Sequence, residues 1–166
     1  GDREHEEWFD SLGNLLTIVF GATDNKRASS IINYIQKQRV NYPYPMHAID
    51  PPIYPRDLEW KSYFSKCISH PYQYLNAGIW PFIGGFYIAA LVKLKKYELA
   101  RKMLHNLAHA NKLGKINDWE FNEWLHGETG RPLGGEYQAW SAGMYIYAYE
   151  CVKRKQLPIF NNFNLG

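Results

Sequence analysis

Three carboxylates fall within nine residues of the segment Trp119-Glu120-Phe121-Asn122-Glu123-Trp124-Leu125-His126-Gly127-Glu128-Thr129-Gly130, which also holds two tryptophans and a histidine. Cleavage of a glycosidic bond needs one carboxylic acid to protonate the leaving oxygen and a second carboxylate on the other side of the sugar. Aromatic neighbours can raise a carboxyl's proton affinity by desolvating it. Residue types alone favour the plainer account, a solvated loop with at most one functional acid. Downstream, Gly130, Gly134 and Gly135 bracket a tight turn into Gln138-Ala139-Trp140-Ser141, and glycine lets a backbone come close to a ligand. A second dense segment is Tyr72-Gln73-Tyr74-Leu75-Asn76-Ala77-Gly78-Ile79-Trp80-Pro81. Asn76 brings donors and an acceptor, Trp80 a stacking face, and the small residues at 77 and 78 leave space. A loop-to-helix junction with a core tryptophan explains the same residues equally well.

The chain behind these segments has 166 residues, about one domain by size. Hydrophobic residues make up 46%, enough for a globular core rather than disorder. Aromatics are dense, with 13 Tyr, 8 Phe and 6 Trp. Most should fill the core, yet a surplus of Tyr and Trp also suits a cleft that stacks on sugar rings. A formal charge of +3 is too small and scattered for a nucleic-acid footprint. Lys93, Lys95 and Lys96 read as a solvated surface. Cys67 and Cys151 have no metal spacing, and free thiols in a reducing, cytoplasmic setting are expected, a single disulfide being the alternative. No apolar run reaches transmembrane length, the longest (79–92) being broken by Pro81, Gly84 and Gly85. No membrane partner is expected.

Helical periodicity dominates. Residues 3–20 read as a first helix, with Trp8, Phe9, Leu12, Leu15, Leu16, Val19 and Phe20 near helical spacing. Thr23 or Asp24 can cap a second helix running to about Val40, with Ala28, Ile31, Ile32 and Ile35 on one face. Residues 41–76 hold six of the nine prolines and many aromatics, the mark of an ordered loop lying over something. A third helix begins near Pro81 and is apolar nearly all round, so it should be buried. A fourth, from about Glu98 to Leu113, is amphipathic. A fifth, from about Glu136 to Arg154, is expected to turn Tyr137, Trp140, Ser141, Met144, Tyr145, Ala148 and Cys151 inward. The third and fourth make an antiparallel hairpin with an inner and an outer member. The first two can pair similarly, and the fifth needs a partner that the chain barely supplies. No strand-like alternation stands out, so the fold class is all-α, built of antiparallel helical hairpins.

The two segments, in this order, resemble the C-terminal part of the (α/α)6-barrel glycoside hydrolases: family 63, the neutral/alkaline invertases and the amylo-α-1,6-glucosidase-like debranching proteins. The pattern runs Tyr-His-Asn-Gly-Gly-x-Trp-Pro, a helical hairpin, Glu-Tyr-Tyr-x-x-x-Thr-Gly, then Gln-x-Trp-Ser/Thr. This chain has Tyr74-Leu75-Asn76-Ala77-Gly78-Ile79-Trp80-Pro81, then Glu123-Trp124 through Thr129-Gly130, then Gln138-Ala139-Trp140-Ser141. The Phe9-Asp10-Ser11-Leu12-Gly13-Asn14 start resembles the debranching-like members. The resemblance implies part of an (α/α)6 toroid, with residues 1–166 as the C-terminal half of the barrel. It implies that Glu123 is the catalytic base of an inverting α-glucosidase, and that Tyr74, Asn76, Trp80, Trp124, Gln138 and Trp140 line the sugar cleft. Leu75 for histidine and Ala77 for glycine depart from the pattern and bear on which sugar fits. The implied general acid, an aspartate of the earlier half, matches no residue here. The implied partners are an α-linked glucoside or oligosaccharide, and either the missing half of the barrel or a second copy.

Two other readings compete. One is a non-catalytic carbohydrate-binding or structural helical domain. The other is a different barrel chemistry, such as sugar epimerisation, leaning on His70, His105, His109 or His126. His105 and His109 lie four apart, as two ligands on a helix face would, but no third ligand is apparent and that face is wet. No metal and no cofactor are expected. Glu120 and Glu128 are expected to be exposed, with small effects from their amides.

Overall fold

The computed structural model describes residues 8–67 and 69–159. The chain is mostly helical. A two-residue strand β1 (Phe9–Asp10) leads into helix α1 (Ser11–Val19), and α2 (Asn25–Lys37) follows. Asp10 and Asp24 cap them, their carboxylates accepting from the Gly13 and Arg27 N–H groups at 3.2 and 2.7 Å, satisfying donors that a helix start leaves bare. The expected first helix over 3–20 is thus shortened. Its start falls at Ser11 because Asp10 is extended and the β1 residues pair antiparallel with β2 (Ile49–Asp50). Residues 3–7 of that expectation lie outside the described residues. In α2 the buried residues are Ala28, Ile31, Ile32 and Ile35, as the spacing predicts.

Helix α3 (Pro81–Lys93) is the centre of the molecule. Pro81 opens it, and ten of its thirteen residues are buried. It packs against α1, against α4 (Tyr97–Lys112) and against α5 (Ala139–Arg154). Each fully buried Ile or Leu in it, such as Ile88 and Leu91, contributes about 1.5–3 kcal/mol relative to exposure. Helix α4 turns back on α3 through Leu94-Lys95-Lys96, buries Ala100, Met103, Leu107 and Ala110, and leaves Arg101, Lys102, His105 and His109 in water. That is the helical hairpin with an inner and an outer member. The fifth helix finds its partner in α3. A Cβ at Gly85 would stand 2.8 Å from the Met144 carbonyl oxygen and 2.9 Å from its Cβ, so glycine lets the two backbones approach.

Two expectations for α5 change. The helix starts at Ala139, because Tyr137 has a left-handed φ of 57°. Tyr137 and Trp140 point to solvent, whereas Ser141, Ala148 and Cys151 are buried. Among the described residues, no helix is long and apolar enough to cross a membrane.

The long connections are ordered by backbone pairing. Ala48 and Trp80 donate to the Gly78 and Met46 carbonyls at 2.8 Å each, and Ile79 and Leu125 exchange two hydrogen bonds of 2.8 Å. Strand β3 (Trp124–Leu125) then pairs antiparallel with β4 (Pro132–Leu133), Trp124 opposite Leu133. Residues 46–48, 78–80, 124–125 and 132–133 therefore form one stitched strip. It lies where α3 and α5 begin, since Trp80 caps α3 and Gln138 caps α5.

Candidate active site

The strip and the connection from α4 to α5 frame a cleft of about 790 Å³, lined by Cys67, Gln73, Tyr74, Glu123, Trp124, Arg131, Leu133 and Gly134. Glu123 directly precedes β3 and is half-buried. Its N–H donates to the Gly135 carbonyl at 2.8 Å, and its Oε2 accepts from the Gly135 N–H at 3.1 Å. The turn opposite must be glycine. Gly134 has φ +70°, and a Cβ there would meet the Trp124 ring at 2.6 Å and Glu123 Cβ at 2.8 Å. An L side chain would be strained by backbone and by collision at once. With one carboxylate oxygen held by a peptide N–H, Glu123 keeps lone pairs for a water or a sugar hydroxyl.

One wall is aromatic. Tyr74 meets Trp124 edge-on, ring centroids 6.1 Å apart, and tilts against Trp80 at 5.2 Å. The tryptophan beside the carboxylate is Trp124; Trp119 and Phe121 tilt against each other instead, ring centroids 6.0 Å apart. Arg131 brings a guanidinium to the cleft lining. Neither cysteine is bonded to another, Cys67 exposed at the cleft and Cys151 buried, where burial pushes its thiol up to about 11.

Glu120 is the finding that sequence reasoning misplaced. It is 1% exposed. Its carboxylate accepts three backbone N–H groups, from Lys115 at 2.7 Å, Ile116 at 2.9 Å and Asn117 at 2.7 Å. Those donors, the Asn117 N–H first, hold its carboxyl below the usual range. Glu120 is therefore the internal clamp of the 114–120 turn. Glu128 is exposed at the tip beyond β3, as expected.

The residues singled out in the sequence divide into two groups. Tyr74, Glu123 and Trp124 come together in the cleft. Gln138 stands next to them: a Cβ on Gly135 would lie 2.9 Å from its Nε2, which itself donates to the Glu136 carbonyl at 3.2 Å. Asn76 is 4% exposed, and its amide is spent on the main chain. Its Oδ1 accepts from Ile53 N–H at 2.7 Å, and its Nδ2 donates to the Ile53 and Ser69 carbonyls at 2.8 and 2.9 Å. Trp80 is buried behind Tyr74, donating from its indole to the Tyr74 carbonyl at 3.0 Å. Trp140 lies on the open face of α5. Arg131, Gln73 and Cys67 line the cleft without having been singled out as site residues. For Arg131 the one available signal was a cation directly after the Thr129-Gly130 turn.

Among the described residues, no group of three or more His, Cys, Asp or Glu is placed to hold a metal ion. His105 and His109 meet through their Nε2 atoms at 3.1 Å on the outer face of α4, away from the cleft-lining residues.

The family described as alkaline and neutral invertase matches residues 3–155. A rice protein, neutral/alkaline invertase 1, mitochondrial (Oryza sativa subsp. japonica), is 26% identical over 144 residues, covering 83% of this chain and 22% of its own length. Alkaline/neutral invertase C, mitochondrial, of Arabidopsis thaliana is 26% identical over 156 residues, covering 89% and 22%. The chain thus spans about a fifth of the length of these curated relatives.

Proposed function

Because this chain belongs to the alkaline and neutral invertase family of glycoside hydrolases, we propose that it carries the catalytic base and one wall of the sugar cleft of an inverting α-glucosidase. The observation that supports this most is Glu123, half-buried in the cleft that Tyr74, Trp124 and Arg131 also line, with one oxygen held by Gly135. In this reading Glu123 takes a proton from a water that attacks the anomeric carbon, and the leaving oxygen is protonated by an acid on the opposite side. Inverting pairs stand about 6.5–9.5 Å apart, leaving room for that water. Among the described residues lining the cleft Glu123 is the one carboxylate, so in this reading the acid comes from elsewhere in the whole protein, this chain supplying one part of an (α/α)6 barrel.

The substrate class is an α-linked glucoside. The relatives are invertases by name, which favours a small α-glucoside over a branched polymer and sets the debranching-like assignment second. The aromatic wall supplies apolar faces for sugar C–H groups, and Arg131 and Gln73 supply hydroxyl partners.

The test is turnover of α-glucosides by the full-length protein. Glu123→Gln is expected to lower kcat by about 10²–10⁴-fold, the usual contribution of a positioned base, with substrate binding kept. The first sugar product should be the β anomer, as inversion requires. Near-normal turnover by Glu123→Gln, with Glu128→Gln inactive, would overturn the assignment. A full-length protein that binds the glucoside without cleaving it would favour a binding domain.

A further inference from the structure

Lys115 reaches Glu123 through one peptide group. Its Nζ donates to the Gly134 carbonyl at 2.7 Å, and the N–H of that same Gly134–Gly135 peptide donates to Glu123 Oε2 at 3.1 Å. A cation on the oxygen of a peptide draws electron density toward it, which makes the N–H at the other end a stronger donor. The same contact resists rotation of the peptide plane, because turning the N–H away from Glu123 would also pull the carbonyl off the ammonium.

Both ends of this chain of contacts are anchored. Lys115 gives its own N–H to the buried Glu120 carboxylate at 2.7 Å, and its ammonium also pairs with Glu136, whose carboxyl is held below the usual range chiefly by that contact. On the other side, Glu123 N–H is bonded to the Gly135 carbonyl at 2.8 Å. Tyr137 and Gln138 donate to the Glu120 and Phe121 carbonyls at 2.6 and 3.1 Å, so the glycine turn is closed over the segment that carries both acids. Lys115 is not among the residues that line the Glu123 cleft. The hydrogen-bonded route from its ammonium to the carboxylate runs through that peptide.

We propose that Lys115 is a positioning residue for the reaction assigned to Glu123, fixing the carboxylate by polarising and orienting the Gly134–Gly135 peptide. This rests on Glu123 being the base. In the proposed reading the sugar contacts come from Tyr74, Trp124, Gln73 and Arg131, and the hydrogen bonds and ion pair of Lys115 go to Gly134, Glu120 and Glu136 instead. Losing Lys115 should therefore impair the chemical step and spare binding.

The experiment compares kcat, KM and Tm of the full-length protein with those of Lys115→Met, Lys115→Arg, Glu136→Gln and Glu123→Gln. Lys115→Met is expected to lower kcat by roughly 10-fold to 10²-fold, the scale of a small misplacement of a catalytic group, at unchanged KM. Lys115→Arg should recover most of that loss, since a guanidinium still donates to the Gly134 carbonyl. Glu136→Gln should lose clearly less than Lys115→Met, because it removes one anchor of the ammonium and leaves the carbonyl contact. In the full-length protein, the Gly135 amide proton should move upfield in Lys115→Met and hold in Glu136→Gln, a readout independent of turnover. Wild-type kcat in Lys115→Met, no recovery in Lys115→Arg, or an equal loss in Glu136→Gln would overturn the proposal. If Lys115→Met does not fold, an unshifted Gly135 amide on replacing Lys115 by Gln would do the same. Should Glu123→Gln be inactive while Lys115→Met is normal, the base stands and only Lys115's role falls. Should Glu123→Gln turn over normally, both fall.

Discussion

Glu120 and Glu123 lie three positions apart in one aromatic segment, and the fold gives them opposite environments. Glu120 is enclosed by its own loop, with three N–H donors converging on two oxygens, while Glu123 faces the cleft with a single peptide donor. The difference decides what an amide would do at each place. In Glu120→Gln one end of the side chain becomes an NH2 that confronts N–H groups, so donors meet donors in a buried pocket. The 114–120 turn should loosen and Tm should fall by ~5 °C or more, measured by thermal melting of the chain itself. Glu123→Gln should leave Tm nearly unchanged. An unaltered melt for Glu120→Gln would mean that the three-donor clamp contributes little.

At the scale of elements, the extended strip joins segments that are distant in sequence, and a buried histidine fastens it. The His47 Nε2 meets the Gly127 carbonyl at 3.0 Å, tying the proline-rich connection to the loop after β3. Burial, its largest influence, pushes the His47 ring below its ordinary value, and burial does the same to His126 nearby. A histidine held neutral in the fold is protonated more readily when unfolded. Its contribution is therefore present above about 6.5 and is lost as the pH falls below that. Thermal stability should drop between about pH 7 and about pH 5. His47→Gln keeps a donor for Gly127 and cannot titrate, so it should flatten part of that drop. An identical drop in the variant would assign it to His126 or to the carboxylates.

At the scale of the whole molecule, α5 is buried on one side against α3 and open on the other. Trp140, Ile146 and Tyr149 are 50%, 62% and 47% exposed along it, and nothing lies within 4 Å of where a Gly143 Cβ would stand. Large apolar side chains left exposed on one helix favour association. We propose that the rest of the barrel, or a second copy, covers it. The 166-residue chain alone should self-associate with rising concentration and bind an apolar dye, as light scattering and fluorescence would report. A monomer at high concentration without dye binding would contradict this. Full α-glucoside turnover by this chain alone would instead contradict the proposal that the acid comes from elsewhere in the whole protein, since among the described residues lining the cleft Glu123 is the one carboxylate.

The sequence by itself determined the helices and their ranking by burial. Periodicity reads directly which face is apolar, and α3, apolar all round, could only be central. It also pointed to residues that meet in the candidate cleft, because the Glu123–Gly130 segment, the glycine turn and Tyr74 are local patterns. What only the tertiary structure decided is the partner of each polar group. Asn76 looked free to bind sugar until residues 53 and 69 closed on its amide. Glu120 looked exposed until its loop folded back on it, and Trp140 looked inward until α5 settled on α3 by its Ser141–Ala148–Cys151 side. Hydrophobic pattern records how much of an element is buried, whereas hydrogen bonds between distant segments depend on approach geometry that no short stretch of residues contains. The Lys115–Gly134–Gly135–Glu123 contact belongs to the second kind: four ordinary residues, spread over about twenty positions, that only the closed turn brings into line.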